Sequence, residues 1–418
     1  MDIADKTPLA SGRATAHTVG VSAGLHLGAL IVVGLTVSAS VAAAAPFRAE
    51  RVVIVGRVAD GAPWTDATTE ARAGEGAELA VVLVGREGWR RVVVADRALA
   101  IVKLGGRTIE ASARRDAASL GPMRVQWSTV EPHGFREGEA ENGATSAFYA
   151  NVSTEPSDFG RWLGYDRIDY FERVIAPWSD APGARRIPAE VTSGEPGAVQ
   201  VAGVGTVRYK VEVELDGQHL ATPGAERTDA FGVTRAVHRV SIRQGDDFMG
   251  WLAAYLLVPE VFGSAGGGAN HQTERFTGAD CADVMVGAMR RTGRKDIAYT
   301  NVAGLPRHAS VVAAPVVLDD DGMPPAPITG IRRGDLVRID YGGALSGHTP
   351  RSWDHVAAVW EDRSDPRGPH RGMADGQLDG FDLVIHMGHP RLVIEPLAAQ
   401  SPATVDVLRW KPASTRPR

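Results

Sequence analysis

The feature that most constrains the fold is a strict alternation of apolar and polar side chains over residues 205–215. Tyr209 and the valines fall on one face and the charged side chains fall on the other, as in a half-buried β-strand. The segment ends at Asp216 and Gly217, a dipeptide typical of β-hairpins. Short β-branched segments separated by glycine turns also occupy residues 51–104. Strands at this spacing predict a β-sandwich or a small barrel.

The size and charge of the chain limit the classes of protein it can represent. Its 418 residues are 44% hydrophobic and 23% charged, which is enough for two or three folded domains. The formal net charge is -5, and no long run of lysine and arginine occurs. We therefore expect no nucleic-acid partner.

The first 45 residues indicate where the protein is located. The segment 19–45 is almost entirely apolar, follows Lys6 and Arg13, and ends in small residues before Pro46. This pattern predicts a signal peptide, or a signal anchor if it is not cleaved. We expect an exported protein of the periplasm, cell envelope or extracellular space, with membrane attachment only if the segment is retained.

The chain contains one cysteine, Cys281, at the predicted start of a helix. Asp280 is a good N-cap, Asp283 follows as in a capping box, and Arg290 and Arg291 suit the C-terminal end. Unpaired N–H groups at a helix start favour a thiolate, so the position suits a nucleophile. The alternative is a small buried residue on a core helix. A single cysteine forms no internal disulfide, and an idle thiol is a liability after export, which favours chemistry.

Two histidines on later predicted strands complete a catalytic pattern. His355 begins an apolar strand over residues 354–362, and His386 lies near the end of another over residues 381–388. An imidazole can take the thiol proton while a third polar group orients that imidazole. The sequence therefore predicts Cys281 as nucleophile, His355 as base and His386 as the orienting residue. The alternative for each histidine is a strand residue bonded to neighbouring backbone.

Four motifs in this order resemble the NlpC-type superfamily of papain-like cysteine peptidases. The loop 258–264 followed by Asp280 and Cys281 is similar to the Pro-Tyr-x-Trp-Gly-Gly loop and Asp-Cys-Ser-Gly motif of that family. The segment 334–337 matches its Gly-Asp-Leu-Val strand entry, and the segments 355–359 and 384–386 resemble its two later strands. The resemblance covers residues 250–396.

The resemblance implies an α+β, papain-like catalytic domain, with the cysteine helix packed on an antiparallel sheet, preceded by β-rich, sandwich-like domains. It also implies an acyl-enzyme hydrolase of peptide amides in the stem peptides of bacterial cell wall. The expected segments are a signal segment at 1–45, a β-rich accessory domain at 46–195, a small β unit at 196–245, a catalytic domain at 246–400 and a tail at 401–418.

Some residues depart from the motifs of the family. Glu260 replaces an aromatic residue, and Ala282 and Asp283 replace Ser-Gly after the nucleophile. Since the resemblance places these positions beside the substrate, we expect Asp280, Glu260 and Asp283 to line the substrate site. His271, in the preceding loop, is a further candidate for substrate contact. A charge at Asp283 would also oppose thiolate formation.

Other functions stay open. A non-catalytic wall-binding or scaffold protein would keep the fold without the reaction, and a transacylase would share the nucleophile. A metal-dependent hydrolase would use His355, His386, His389 and Asp354, but these residues lack the spacing of a helical zinc motif. We expect no cofactor and no metal, and the sequence leaves the oligomeric state open.

Overall fold

A computed structural model describes residues 46–132, 170–191, 201, 203–229, 231–265, 272–342, 353–388 and 391–413. The predicted signal segment 1–45 and the histidines His271 and His389 lie outside these residues. Within the described part of the chain, no helix is long and apolar enough to cross a bilayer.

The first half of the described chain forms two large sheets and one small hairpin. The first sheet has the strand order β7-β6-β2-β1-β4-β5-β8, with β11 also paired to β4. The second has the order β10-β9-β12-β16-β3, with β13 also paired to β12, and β14 pairs with β15. These strands are β1 (Phe47–Val58), β2 (Trp64–Thr65), β3 (Thr69–Arg72), β4 (Ala77–Glu87), β5 (Arg90–Ala95), β6 (Ile101–Leu104), β7 (Arg107–Glu110), β8 (Arg115–Asp116), β9 (Met123–Pro132), β10 (Tyr170–Ser179), β11 (Arg186–Pro188), β12 (Gly205–Leu215), β13 (Gln218–Ala221), β14 (Thr228–Asp229), β15 (Gly232–Val233) and β16 (His238–Arg243).

The two large sheets enclose a common apolar core. Leu79 and Val81 of β4 pack in one cluster with Trp127 of β9 and Val211 of β12. The alternation in residues 205–215 therefore has the predicted effect, and the strand β12 has the predicted bounds. Because β12 pairs with β9, the segments 46–195 and 196–245 share a sheet. The domain boundaries as such stay a prediction.

The second half of the described chain is organised on a third sheet, with the order β17-β24-β19-β20-β22-β23. A separate pair joins β18 to β21. The strands are β17 (Ala309–Leu318), β18 (Ile328–Thr329), β19 (Leu336–Asp340), β20 (His355–Glu361), β21 (Gln377–Leu378), β22 (Leu383–Met387), β23 (Leu392–Pro396) and β24 (Ala403–Trp410). The segment predicted as a tail thus contributes β24, between β17 and β19.

The predicted α+β, papain-like fold class is wrong. Strands hold 47% of the residues and helices only 14%, and the sheet is a curled half-barrel. Both faces of the third sheet are buried: Val337, Val384 and Val407 pack in one core, and Leu336 and Ile385 pack in another. The prediction assumed a sheet covered by a helix on one side, whereas here much of the core is sheet against sheet.

Three short α-helices pack on the third sheet or beside it: α1 (Phe248–Ala253), α2 (Gln272–Arg275) and α3 (Cys281–Arg291). Val284, Met285 and Ala288 of α3 are fully buried in the core that includes Val356 of β20. The predicted start of this helix at Cys281 is confirmed. Burial of its apolar face fixes α3 on the sheet and so determines where the thiol lies.

Candidate functional site

The N-terminus of α3 is held by its capping residue and by the loop before it. Asp280 has an extended backbone, and its side chain accepts a hydrogen bond from the Asp283 N–H at 2.7 Å. The other carboxylate oxygen of Asp280 accepts the Gly263 N–H at 3.0 Å. One carboxylate therefore caps the helix and fastens the loop to it.

A short bridge aligns the loop with the chain that enters the helix. The Val261 N–H donates to the Ala279 carbonyl at 2.9 Å, and the Ala279 N–H donates to the Pro259 carbonyl at 3.1 Å. A Cβ at Gly278 would lie 2.5 Å from the Val261 side chain, so this close approach requires glycine. The bridge pairs half-buried Glu260 with Ala279, two residues before the cysteine.

Asp283 is buried and accepts two further hydrogen bonds from the loop. Its Oδ2 accepts the Ser264 hydroxyl at 2.8 Å and the Ala265 N–H at 2.7 Å. Burial, together with the Asp280 carboxylate, raises the pKa of Asp283 well above its usual range. The two carboxyl groups can therefore hold one proton between them, which reduces the negative charge beside the thiol.

The Cys281 thiol lies where the start of α3 meets the start of β20. Burial raises the pKa of this thiol, and the charges of Asp280, Glu260 and Asp283 raise it further. A hydrogen bond from the Val356 backbone N–H acts in the opposite direction. The expectation that the helix start favours the thiolate is therefore wrong, because burial and carboxylates outweigh it.

The register of the sheet brings the two histidines together. Ala357 of β20 pairs with His386 of β22, and His355 lies two residues before Ala357, on the same face. His355 Nε2 lies 2.9 Å from His386 Nδ1, and the two rings are perpendicular. His355 immediately precedes Val356, whose backbone N–H donates to the thiol, so the start of β20 brings the histidine and the cysteine to the same part of the molecule.

A fourth residue, Glu395, extends this chain of hydrogen bonds. His386 pairs with Val393 of β23, so Glu395 two residues later lies on the same face. His386 Nε2 is 2.9 Å from Glu395 Oε1, and Gln400 donates to the same oxygen at 2.6 Å. The hydrogen bond from His386 lowers the pKa of the Glu395 carboxyl.

The hydrogen bonds determine which nitrogen of each neutral imidazole carries a proton. Ionised Glu395 only accepts, so His386 Nε2 must donate, and in the neutral form of His386 its Nδ1 is then an acceptor. His355 Nε2 must then donate to His386, which leaves the lone pair of His355 on Nδ1. In this tautomer, Nδ1 of His355 is the ring nitrogen that can accept a proton.

Tyr341 borders the same site. Its ring stacks on the His355 ring with centroids 6.4 Å apart, and its hydroxyl donates to the Gln400 side-chain oxygen. Burial, together with the neighbouring His386, lowers the pKa of His355 to about 3. His355 is therefore neutral at neutral pH.

Of the residues predicted from sequence, Glu260, Asp280 and Asp283 surround Cys281, and His355 and His386 form one bonded pair. Their catalytic and substrate-binding roles stay predictions. Sequence reasoning missed Glu395, Gln400 and Tyr341, because no motif marks them. The pairing of β22 with β23 is the signal that could have found Glu395, since it places position 395 next to position 386.

The histidines and the aspartate proposed as alternative metal ligands can be compared with the structure. Among the residues that the structure describes, no group of three or more histidine, cysteine or acidic side chains is arranged to hold a metal ion. Both ring nitrogens of His386 are engaged in hydrogen bonds, to His355 and to Glu395. The proposed ligand His389 lies outside the described residues.

Comparison with known proteins adds no relative: no family model, curated protein or solved structure matches the chain. The case for a function therefore depends on the geometry described above.

Proposed function

We propose that this protein is a cysteine-dependent hydrolase of amide bonds. The observation that carries the proposal is the continuous chain of hydrogen bonds from Glu395 through His386 to His355, on the strand whose Val356 N–H contacts Cys281. An ionised carboxylate at one end and an imidazole at the other can together accept the proton of a thiol. A buried histidine with a purely structural role would not need this ordered chain.

The neutral state of the thiol and the imidazole defines the first step. As Sγ attacks the substrate carbonyl carbon, the thiol proton moves to His355 Nδ1. The new imidazolium donates through Nε2 to His386, which in turn donates to Glu395, so the carboxylate stabilises the positive charge. The pKa directions favour transfer of the proton in step with the attack over a preformed ion pair.

The remaining steps use the same groups. The Cys281 N–H is the first of α3 and has no carbonyl partner within the helix, so it can stabilise the oxyanion. His355 then gives its proton to the departing amine, and an acyl thioester forms on Sγ. Water, deprotonated by His355, attacks the thioester and releases the acid.

The substrate class comes from the sequence resemblance, which implies peptide amides of bacterial cell wall. The predicted export of the chain is consistent with that substrate, and localisation stays part of the proposal. Glu260, Asp280 and Asp283 place carboxyl groups beside the thiol. They are the residues that we propose to contact substrate.

The test is to incubate the purified protein and its Cys281→Ser variant with cell-wall stem peptides and to identify products by mass spectrometry. We expect product from the wild type only. The Cys281→Ser variant should melt at the same temperature as the wild type, which shows that it is folded. Equal product from both proteins would overturn the mechanism. Alkylation of the thiol should abolish the activity, whereas a chelator should leave it intact and so separate this enzyme from a metal hydrolase.

The raised pKa of Cys281 favours a second candidate function, a wall-binding protein that performs no reaction. Such a protein would sediment with purified cell wall and release no product. Sedimentation of both wild type and Cys281→Ser without cleavage by either would favour it over the hydrolase.

A further inference from the structure

A cavity of about 300 Å³ lies at the other end of α3, between the helices α2 and α3 and the second sheet. Its lining is dominated by guanidinium groups, with two carboxylates and a few small or apolar side chains. The lining arginines are Arg208, Arg235, Arg239, Arg275 and Arg291.

The two carboxylates of the lining do not balance these cations. Glu70 accepts from Arg239 at 2.6 Å and from Arg291 at 3.2 Å, so one carboxylate serves two guanidinium groups. Glu274 binds Arg290, which is not part of the lining, at 3.0 Å. Asp229, outside the lining, accepts from Arg275 Nη1 at 2.9 and 3.0 Å. The five guanidinium groups of the lining still outnumber these three carboxylates, so the cavity has an excess of positive charge.

Arg208 is a buried member of this group of cations. Its Nη2 donates to the backbone carbonyls of Arg275 at 2.9 Å and Phe276 at 3.0 Å. Burial, together with the neighbouring Arg239 and Arg275, lowers the pKa of Arg208 to about 10. A buried cation among other cations costs free energy unless an anion compensates it.

Three polar atoms of the lining residues are buried without a hydrogen-bond partner in the described part of the chain. They are Arg275 Nε, Arg291 Nε and Thr234 Oγ1. Arg275 is more than nine-tenths buried, with 7% of its surface exposed. Buried donors are rarely left unpaired, so their grouping around one cavity indicates a missing acceptor.

We propose that this cavity binds the oxyanion group, phosphoryl or carboxylate, of a small anionic molecule. Guanidinium groups match the geometry of both anions and form charge-assisted hydrogen bonds to them. Thr68 and Arg235 of the lining are exposed, so the cavity is reached from solvent. Its volume fits a small ligand, and Val233 and Val237 supply apolar contacts.

The test is calorimetric titration of the whole protein with inorganic phosphate and, separately, with citrate. The first variant is Arg235→Ala, which removes an exposed cation of the lining and should not disturb the core. Loss of one charge-assisted hydrogen bond should weaken binding roughly tenfold. The matched control is Arg186→Ala, an exposed arginine of β11 that is not part of the lining, and it should bind as the wild type does.

A second variant, Thr234→Val, removes a buried hydroxyl that has no hydrogen-bond partner among the described residues. It should weaken anion binding without lowering the melting temperature of the free protein. Preference for phosphate or for citrate will distinguish the two ligand classes. No heat with either anion at low salt, or equal affinity in the wild type and both cavity variants, would overturn the proposal.

Discussion

The two ends of α3 have opposite chemical character. At its start, Asp280 and Asp283 lie beside a thiol. Both carboxylate oxygens of Asp280 and Oδ2 of Asp283 accept hydrogen bonds from the helix or the loop. At its end, Arg291 borders a cavity where guanidinium groups outnumber carboxylates. Both arrangements complement the helix dipole, acidic at the N-terminus and basic at the C-terminus.

The difference lies in how completely the polar groups are bonded. At the thiol end, continuous hydrogen bonds join Glu395, His386 and His355, which is typical of a site preorganised for chemistry. At the arginine end, buried donors lack acceptors within the described residues, which is typical of a site completed by its ligand. The comparison suggests a reaction at one end of α3 and binding at the other.

The largest expected effect concerns the carboxylate of the catalytic chain. Glu395→Gln keeps an oxygen for His386 but removes the charge that stabilises the imidazolium. We expect kcat/KM to fall roughly tenfold to a hundredfold, less than the roughly 10²–10⁴ that a general base contributes. The measurement is the pH profile of kcat/KM. Phosphate titration of the same variant is a control, because phosphate binding at the other end of α3 should not change.

The matched control for this variant is Glu361→Gln, which changes an exposed glutamate at the far end of β20. It should leave kcat/KM at the wild-type value. If Glu395→Gln is equally active, Glu395 has no part in positioning the histidines, and the catalytic chain ends at His386.

A second prediction concerns stability at the arginine end. Burial lowers the pKa of His238, next to Arg239, from 6.5 to about 4. The folded state therefore binds fewer protons than the unfolded state in this range, and stability falls as the pH falls from 6.5 to 4. The loss amounts to about 3 kcal/mol for a fully buried group. Urea denaturation at a series of pH values should show that His238→Gln loses less unfolding free energy than the wild type as the pH falls.

The control is Thr69→Val, which removes the hydroxyl 3.0 Å from His238 Nε2 but keeps the histidine. It should lower stability at every pH and retain the acid slope. An unchanged slope in His238→Gln would mean that other groups cause the acid sensitivity.

The smallest expected effect concerns the carboxylates around the thiol. The charge of Glu260 is one of several causes that raise the pKa of Cys281, after burial and Asp280. Glu260→Gln should therefore lower the pKa of the thiol, and alkylation by iodoacetamide should begin at a lower pH. Glu110→Gln, an exposed change on β7, should leave the alkylation profile unchanged. An identical profile in Glu260→Gln would show that its charge does not reach the thiol.

Features that depend on local sequence were predictable. The caps at Asp280 and Asp283 determine where α3 begins, and the alternation in 205–215 determines β12, because both depend on residues a few positions apart. His355 and His386 were recognisable because the resemblance covers both strands.

Features that depend on distant pairing were not predictable. The strand β24 pairs with β17, about ninety residues earlier, so residues 401–418 read as a tail and the curled half-barrel was missed. Glu395 becomes a site residue only through the register of β22 and β23. The thiol pKa was misjudged because burial of Cys281 is a property of the packed core and not of the helix start.

The most direct test of the central claim is the mass of the intact protein, quenched in acid during turnover of a stem peptide. The mechanism predicts an acyl adduct that peptide mapping assigns to Cys281. Cys281→Ser should carry no thioester. Release of product with no adduct on Cys281 at any quench time, and at the same rate from Cys281→Ser, would contradict the account.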